Sequence, residues 1–200
     1  LEVPIQQTVV NSTPEQAFAK ILSLFEKARL PHEVTTSIAQ AYASLGGDVQ
    51  AVAVRSSATA EDLPDLSFAG QQDTCLNVCG EVALLDAIRR CWASLWTARA
   101  IGYRNQMHID HRAVAMGVVV QVMVPSEVSG ILFTANPSSG NRSELVINAS
   151  YGLGEAVVGG EVTPDTYVLD RTSFDVTQTL IGAKEAMIVS AGGQGTATQP

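Results

Sequence analysis

Arg55 is the side chain in this 200-residue sequence that is best placed to bind an anion. It follows AVAV (51–54), a short apolar run that suits a buried strand, and a long polar stretch comes after it. We therefore predict that Arg55 ends the strand, where its guanidinium can bind phosphate through a charge-assisted fork. Spacing alone leaves an alternative open, an ion pair that braces the loop, with Glu61, Asp62 or Asp65 as the acid.

The polar stretch itself offers more groups to the same anion. Gly70 lets backbone N–H groups come close to a ligand because glycine carries no side chain. Gln71, Gln72 and Thr74 add neutral donors directly after it. The stretch therefore predicts a phosphate-binding loop next to Arg55.

A dinucleotide site is a weaker interpretation of a second glycine-rich stretch. Residues 152–157, GLGEAV, follow a predicted strand, and Asp170 ends a later one. The third glycine of the dinucleotide-binding fingerprint is missing, and Pro164 interrupts the short stretch that would have to hold a crossover helix. We therefore expect a turn at GLGEAV rather than a dinucleotide site.

A metal site within the chain is also weakly indicated. The C-x3-C and H-x2-H spacings straddle a long predicted helix and match no common zinc module well. Several acids could ligate Mg²⁺, but no pair stands out, so we predict no metal ligand in this sequence. The cysteines and histidines are Cys75, Cys79, His108 and His111, and the acids are Glu127, Glu144, Glu155, Glu161 and Asp165.

The composition argues against several classes of function. A net charge of −8 with only 12 lysines and arginines disfavours nucleic-acid binding, which needs clustered cations. No apolar run approaches the roughly 18 to 20 residues that a membrane span needs, and the first residues lack the pattern of a signal peptide. Three cysteines without such a signal favour reduced thiols, so we expect a cytoplasmic protein.

Helices are predicted in the first half of the chain. Thr13 and Gln16 form a capping box at the start of one helix. A second helix follows Pro31 and ends at a pair of glycines. The third and longest helix is predicted at about residues 81–105, where apolar residues recur at helical spacing.

Extended structure is predicted after His111. Stretches rich in β-branched residues are separated by turn signals built from Pro, Gly and Asn. We therefore predict an α+β fold with a helix-rich N-lobe (1–122), a β-rich C-lobe (123–190) and a linker-like tail (191–200), incomplete at both ends. The predicted strands are 114–124, 129–134, 144–150, 165–170 and 174–182.

Several stretches, in the right order, resemble the nucleotide-binding domain shared by phosphoenolpyruvate synthases, pyruvate phosphate dikinases and rifampicin phosphotransferases. They are VAVRSSATAEDLPDLSFAGQQDT, CWASLWTARAIGYR, VVVQVMV, SGILFTANP and ASYGLGEAVVGGEVTPDTY. The resemblance covers roughly residues 50 to 170. It implies an ATP-grasp fold in which ATP is held between two lobes.

The resemblance also implies roles for individual residues. The arginine of the family's VRSS motif contacts the ATP phosphates, which implies that Arg55 does so. Gly70 and Thr74 match a phosphate-contacting glycine and threonine, and Gln121 matches a nucleotide-contacting glutamine. The backbone of residues 123–125 (Met123, Val124 and Pro125) matches the hinge against which adenine packs.

The family reaction passes through a phosphohistidine, which implies ATP and Mg²⁺ as cofactors and a swivelling domain of the same longer protein as the partner. A histidine on that domain takes a phosphoryl group from ATP and carries it to pyruvate or to an antibiotic. We expect a phosphoenolpyruvate synthase-like pyruvate, water dikinase. The alternatives are a rifampicin phosphotransferase-like antibiotic kinase and, in another class, a non-catalytic module that keeps the fold.

Two parts of the family pattern do not occur in the sequence. The phosphate-binding lysine of an N-terminal glycine-rich segment is expected before residue 1, and the glutamate and glutamine that ligate Mg²⁺ are expected after residue 200. We therefore expect the metal ligands outside this chain and no phosphoryl transfer by these residues alone.

Overall fold

A computed structural model describes the backbone of residues 1–59, 62–63, 66–67 and 74–200, and the side chains of 1–59 and 74–200. The chain divides into two compact units, Leu1–Met123 and Val124–Pro200. Helices and antiparallel sheets both occur, which confirms the predicted α+β class. Across the described residues, no helix is both long enough and apolar enough to cross a bilayer.

The helices of the first unit include the two whose starts the sequence predicted. Thr13 Oγ1 accepts a hydrogen bond from the Gln16 N–H, and the Gln16 side chain accepts one from the Thr13 N–H, so the predicted capping box is confirmed. The helix after Pro31 is confirmed as well. The helices are α1 (Glu2–Val10), α2 (Pro14–Lys27), α3 (His32–Ser44), α4 (Glu81–Ser94) and α5 (Ala98–Gln106).

Two helix predictions need correction. The single helix predicted at about 81–105 is two helices, because Thr97 Oγ1 caps a new one by accepting a hydrogen bond from the Ala100 N–H. Leu95 and Trp96, between the helices, are buried, so apolar spacing did not reveal the break. Helix α1 was not predicted, since its β-branched residues have low helix propensity and only packing of its apolar face explains it.

A three-stranded antiparallel sheet of the first unit carries three of the predicted site residues, Arg55, Thr74 and Gln121. Its order is β4 (Thr74–Val78), β1 (Val52–Ala58) and β5 (Met116–Val122). Val52 and Val54 are fully buried in a cluster with Leu84, Ile88 and Cys91 of α4, so one face of the sheet packs against that helix. Two short strands, β2 (Asp62–Leu63) and β3 (Leu66–Ser67), pair with each other.

Arg55 lies inside β1, which corrects the prediction that it ends the strand. The apolar run stops at residue 54, but β5 pairs with β1 from Val52 to Ala58, so the strand continues through the polar residues. In this continuation the exposed positions are Arg55 and Ser57, while Ala58 is buried. A strand with one solvated face needs apolar residues only at alternate positions.

The second unit is built on a four-stranded antiparallel sheet in the order β6 (Val128–Phe133), β7 (Glu144–Tyr151), β8 (Asp165–Asp170) and β9 (Val176–Leu180). Only the short helix α6 (Glu155–Val158) stands between β7 and β8, and those strands are antiparallel, which is incompatible with a dinucleotide-binding crossover. A hairpin of β10 (Met187–Ser190) and β11 (Thr196–Gln199) follows. Part of the tail that was predicted to be linker-like is therefore a strand.

Candidate functional site

The register of the first sheet brings three of the predicted site residues onto one face. Arg55 on the central strand lies opposite Thr74 on one side and Val119 on the other. Gln121 lies opposite Ala53, two residues from Arg55 along β1. Because side chains alternate between the faces of a strand, all of these residues share the face opposite α4.

The three polar side chains are close together and available to a ligand. Directly opposed residues such as Arg55 and Thr74 have Cβ atoms about 4.5–5.5 Å apart, and a diagonal pair such as Arg55 and Gln121 about 7–8 Å apart. All three residues are exposed. A guanidinium, a hydroxyl and an amide on one open face supply the donors that a phosphate chain needs.

Arg55 makes no ion pair or side-chain hydrogen bond with the described part of the chain. The bracing alternative named Glu61, Asp62 and Asp65, whose side chains all lie outside the described residues. A guanidinium on an exposed face that none of the described side chains engages can donate to an anion.

Gly70, the predicted phosphate-contacting glycine, lies outside the described residues, as do Gln71 and Gln72. Its role therefore stays a prediction. The first residue that is described after this stretch is Thr74, at the start of β4.

Residues 123–125 follow β5 and offer a specific pair of free backbone groups. The Met123 N–H donates to the Ala51 carbonyl (3.0 Å), the Val124 carbonyl accepts from the Ser126 N–H (2.8 Å), and Pro125 has no N–H. The Met123 carbonyl and the Val124 N–H make no hydrogen bond with the described residues. The two groups belong to one trans peptide and point in opposite directions, so only one of them can face a given base edge, and the carbonyl is an acceptor suited to the amino group of adenine.

A buried cluster around Arg104 was not predicted from the sequence. Arg104 is 0% exposed, its Nε donates to His111 Nδ1 (2.8 Å), and its guanidinium lies 5.1 Å from the centroid of the Trp96 ring. His111 Nε2 lies 2.9 Å from Asn105 Oδ1, so the neutral ring carries its proton on Nε2. Burial lowers the pKa of Arg104 to about 10, and burial lowers the pKa of His111, with a further contribution from Arg104.

An ion pair in the second unit was missed as well. Lys184 Nζ pairs with Asp165 and also donates to the Gly182 carbonyl (2.9 Å), with 13% and 18% of the two side chains exposed. The hydrogen bond from Lys184 lowers the pKa of Asp165, and the same bond raises the pKa of Lys184. Sequence spacing did not reveal this ion pair. Asp165 begins β8 and Lys184 follows β9, so the two residues meet only because β9 folds back against β8.

No group of three or more histidines, cysteines and acids among the described residues is arranged to hold a metal ion. Two of the acids considered as magnesium ligands already have protein partners: Asp165 pairs with Lys184, and Glu144 accepts from Asn136 Nδ2 (2.7 Å). His111, considered for zinc, is held by Arg104 and Asn105.

Residues 5–200 match the family model of the pyruvate phosphate dikinase AMP/ATP-binding domain. A probable phosphoenolpyruvate synthase of Pyrococcus horikoshii is 51% identical over 175 residues, which cover 86% of this chain and 21% of that protein. The phosphoenolpyruvate synthase of Aeropyrum pernix is 44% identical over 188 residues, 90% of this chain and 23% of that protein.

A rifampicin phosphotransferase of a Streptomyces species is similar to the same degree. It is 48% identical over 182 residues, which cover 91% of this chain and 21% of that protein. The chain thus spans about a fifth of the length of these curated relatives.

Proposed function

Because the chain belongs to the family of pyruvate phosphate dikinase AMP/ATP-binding domains, we propose that it is the ATP-binding part of a longer ATP-dependent phosphotransferase. In this proposal the longer protein phosphorylates a histidine on a separate swivelling domain and passes the phosphoryl group to pyruvate, as in a phosphoenolpyruvate synthase. The observation that carries the proposal is the open face on which Arg55, Thr74 and Gln121 lie together without partners among the described residues.

The chemistry proposed for this face is binding and orientation of the ATP phosphates. Phosphoryl transfer depends on positioning and on stabilisation of charge, for which a fixed guanidinium is suited. Arg55 supplies the positive charge, Thr74 a hydroxyl and Gln121 an amide next to them. Gly70 is proposed to let backbone N–H groups approach the same phosphates.

Adenine is proposed to lie against the backbone of residues 123–125. The Met123 carbonyl, which accepts no hydrogen bond from the described residues, would accept from the adenine amino group. Pro125 has no N–H to compete for the base.

Mg²⁺ is the expected counter-ion of ATP, and when bound it would neutralise charge on the phosphates. The described residues do not fit a magnesium site of their own, since no cluster of three ligating side chains occurs among them. We propose that the ligands come from other parts of the longer protein.

The proposed reaction is tested with the complete protein and ATP labelled at both its β- and γ-phosphates, because a dikinase converts ATP to AMP and passes one phosphoryl group to the acceptor and the other to water. Label is expected on a histidine, in an acid-labile and base-stable linkage, and is expected to be discharged by pyruvate. Absence of any labelled histidine in folded, ATP-binding protein would contradict phosphotransfer and favour a non-catalytic module.

The second candidate is an antibiotic kinase, favoured by the 48% identity to a rifampicin phosphotransferase. The same labelled protein distinguishes the two candidates, because discharge by rifampicin and not by pyruvate would assign the antibiotic as acceptor.

A further inference from the structure

The open face of the first sheet continues past Arg55 to a pair of residues, Ser57 and Gly117, of which Gly117 has no side chain. Ser57 lies two residues beyond Arg55 on β1, opposite Gly117 on β5. Both residues are exposed, and the Ser57 side chain makes no hydrogen bond with the described part of the chain. This end of the face thus combines a hydroxyl that none of the described residues engages with a glycine, which has no side chain.

The fold does not explain why residue 117 is glycine. Its φ lies outside the left-handed region, and among the described residues an added Cβ would meet only the Ser57 carbonyl oxygen, at an ordinary 3.5 Å. Gly130 and Gly152 differ, because there a Cβ would come within 2.5 Å and 2.3 Å of backbone oxygens. A glycine inside a strand weakens it relative to alanine, and it often marks a place where a ligand approaches closely.

The order of residues along β5 indicates which part of a bound nucleotide would lie beside Gly117. Met123, Gln121, Val119 and Gly117 succeed one another on the strand, about 6.8 Å apart at each step of two residues. With adenine at residues 123–124, a nucleotide that runs along β5 passes Gln121, then the row of Arg55 and Val119, and last the row of Ser57 and Gly117.

We propose that Ser57 and Gly117 form the seat of the terminal phosphoryl group of ATP. Ser57 donates its hydroxyl hydrogen to a phosphoryl oxygen, and Gly117 leaves the room that this group needs above the strand. Both are positioning residues, and neither is among the residues that the family resemblance assigned. This inference rests on the proposed function, in which ATP lies along this face.

The test compares two ligands of the complete protein, a non-hydrolysable ATP analogue and AMP, which lacks the terminal phosphates. Gly117→Val should raise the Kd of the ATP analogue about tenfold or more, because its side chain fills the proposed seat. Ser57→Ala should raise the same Kd several-fold, because one hydrogen bond to a charged group is lost. Neither change should alter the Kd of AMP.

Thr179 offers a matched control, because it is an exposed strand residue of the second unit. Thr179→Val adds an apolar β-branched residue to an exposed strand position, and Thr179→Ala removes an exposed strand hydroxyl. Both controls should bind the two ligands as the unmodified protein does. Gly117→Ala is the smaller change to use if the valine variant does not fold.

The outcomes separate this inference from the proposed function. The proposed seat is wrong if the Ser57 and Gly117 variants bind the ATP analogue and AMP equally more weakly, or if the binding of neither ligand is weakened. It is also wrong if the unfolding temperature falls while the ratio of the two Kd values is unchanged. If Arg55→Ala still weakens binding of the ATP analogue in that case, the proposed function is retained and only the seat at Ser57 and Gly117 is rejected. If the unmodified protein binds neither ligand, the proposed function itself fails.

Discussion

Arg104 is a fully buried arginine whose described partners are aromatic rings rather than a carboxylate. Its guanidinium lies over the Trp96 ring, a cation–π contact that contributes about 2 kcal/mol when desolvated. Its Nε donates to His111 Nδ1, which requires that nitrogen to be unprotonated. The protonation state of His111 therefore affects how well the buried charge of Arg104 is stabilised.

This contact predicts a pH dependence of stability. The pKa of His111 is lowered in the folded protein by burial and by Arg104, while Asp110 opposes the shift. Between the lowered pKa and the ordinary value of about 6.5, the unfolded chain binds more protons. The free energy of unfolding should therefore fall as the pH drops below about 6.5 and stay level above it.

His111→Gln tests this dependence, because glutamine can accept from Arg104 and does not titrate. Thermal unfolding of the complete protein between pH 7.5 and 5 should show a shallower decline for the variant than for the unmodified protein, about one titrating group less. His32→Gln, on the exposed start of α3, is the control, because it makes the same substitution at a histidine that is not in the Arg104 cluster. Parallel curves for all three proteins would mean that His111 carries no such linkage.

Residue chemistry was predictable where it is local. The polar types at Arg55 and Thr74 indicated an anion site, and the family resemblance added Gln121, before their positions in a sheet were known, although their assignment to ATP stays a proposal. The pair of Arg104 and His111 was not predictable, because it depends on how the chain turns back after α5. Spacing alone does not encode such a contact.

At the scale of elements, strand pairing turns scattered sequence positions into one surface. Residues 55, 74 and 121 are far apart in the chain, and only the order β4-β1-β5 makes them neighbours. Helix starts were predictable from their caps, as at Thr13, since the cap is a local hydrogen bond. The end of β1 and the break between α4 and α5 were not, because the apolar pattern at each place did not mark the boundary.

The segment after β5 predicts a preference between nucleotides. Guanine presents a carbonyl oxygen where adenine has its amino group, so it would place an acceptor against the Met123 carbonyl. The complete protein should bind ATP more tightly than GTP by about 1–3 kcal/mol, the cost of leaving buried polar groups unpaired. Competition binding against a labelled ATP analogue measures this difference.

Inosine triphosphate is the control for this comparison. It has guanine's hydrogen-bonding edge without guanine's extra amino group, so it should bind as weakly as GTP. If it binds as tightly as ATP, the discrimination arises from the bulk of the amino group of guanine, and the hydrogen bond proposed at the Met123 carbonyl is wrong.

At the scale of the whole molecule, the chain is a family domain with two compact units, each with its own antiparallel sheet. The α+β class followed from the change of pattern near residue 111, since helical spacing and β-branched runs each depend on nearby residues. The hairpin of β10 and β11 was missed because its turn and its second strand, TATQ, consist of small and polar residues that look like a linker. The chain spans about a fifth of the length of the curated relatives it matches, so the phosphoryl acceptor stays a proposal.

The most direct test of the account is the affinity of the complete protein for ATP with and without the Arg55 guanidinium. Arg55→Ala should raise the Kd of a non-hydrolysable ATP analogue about 10- to 150-fold, the loss of a charge-assisted contact of about 1.5–3 kcal/mol. Its unfolding temperature should be unchanged, because Arg55 is exposed and has no partner among the described residues. Arg142→Ala, which removes an exposed arginine of the second unit, should leave the Kd as it was. An unchanged Kd in a folded Arg55→Ala protein would contradict the claim that this face of the sheet binds the phosphates of ATP.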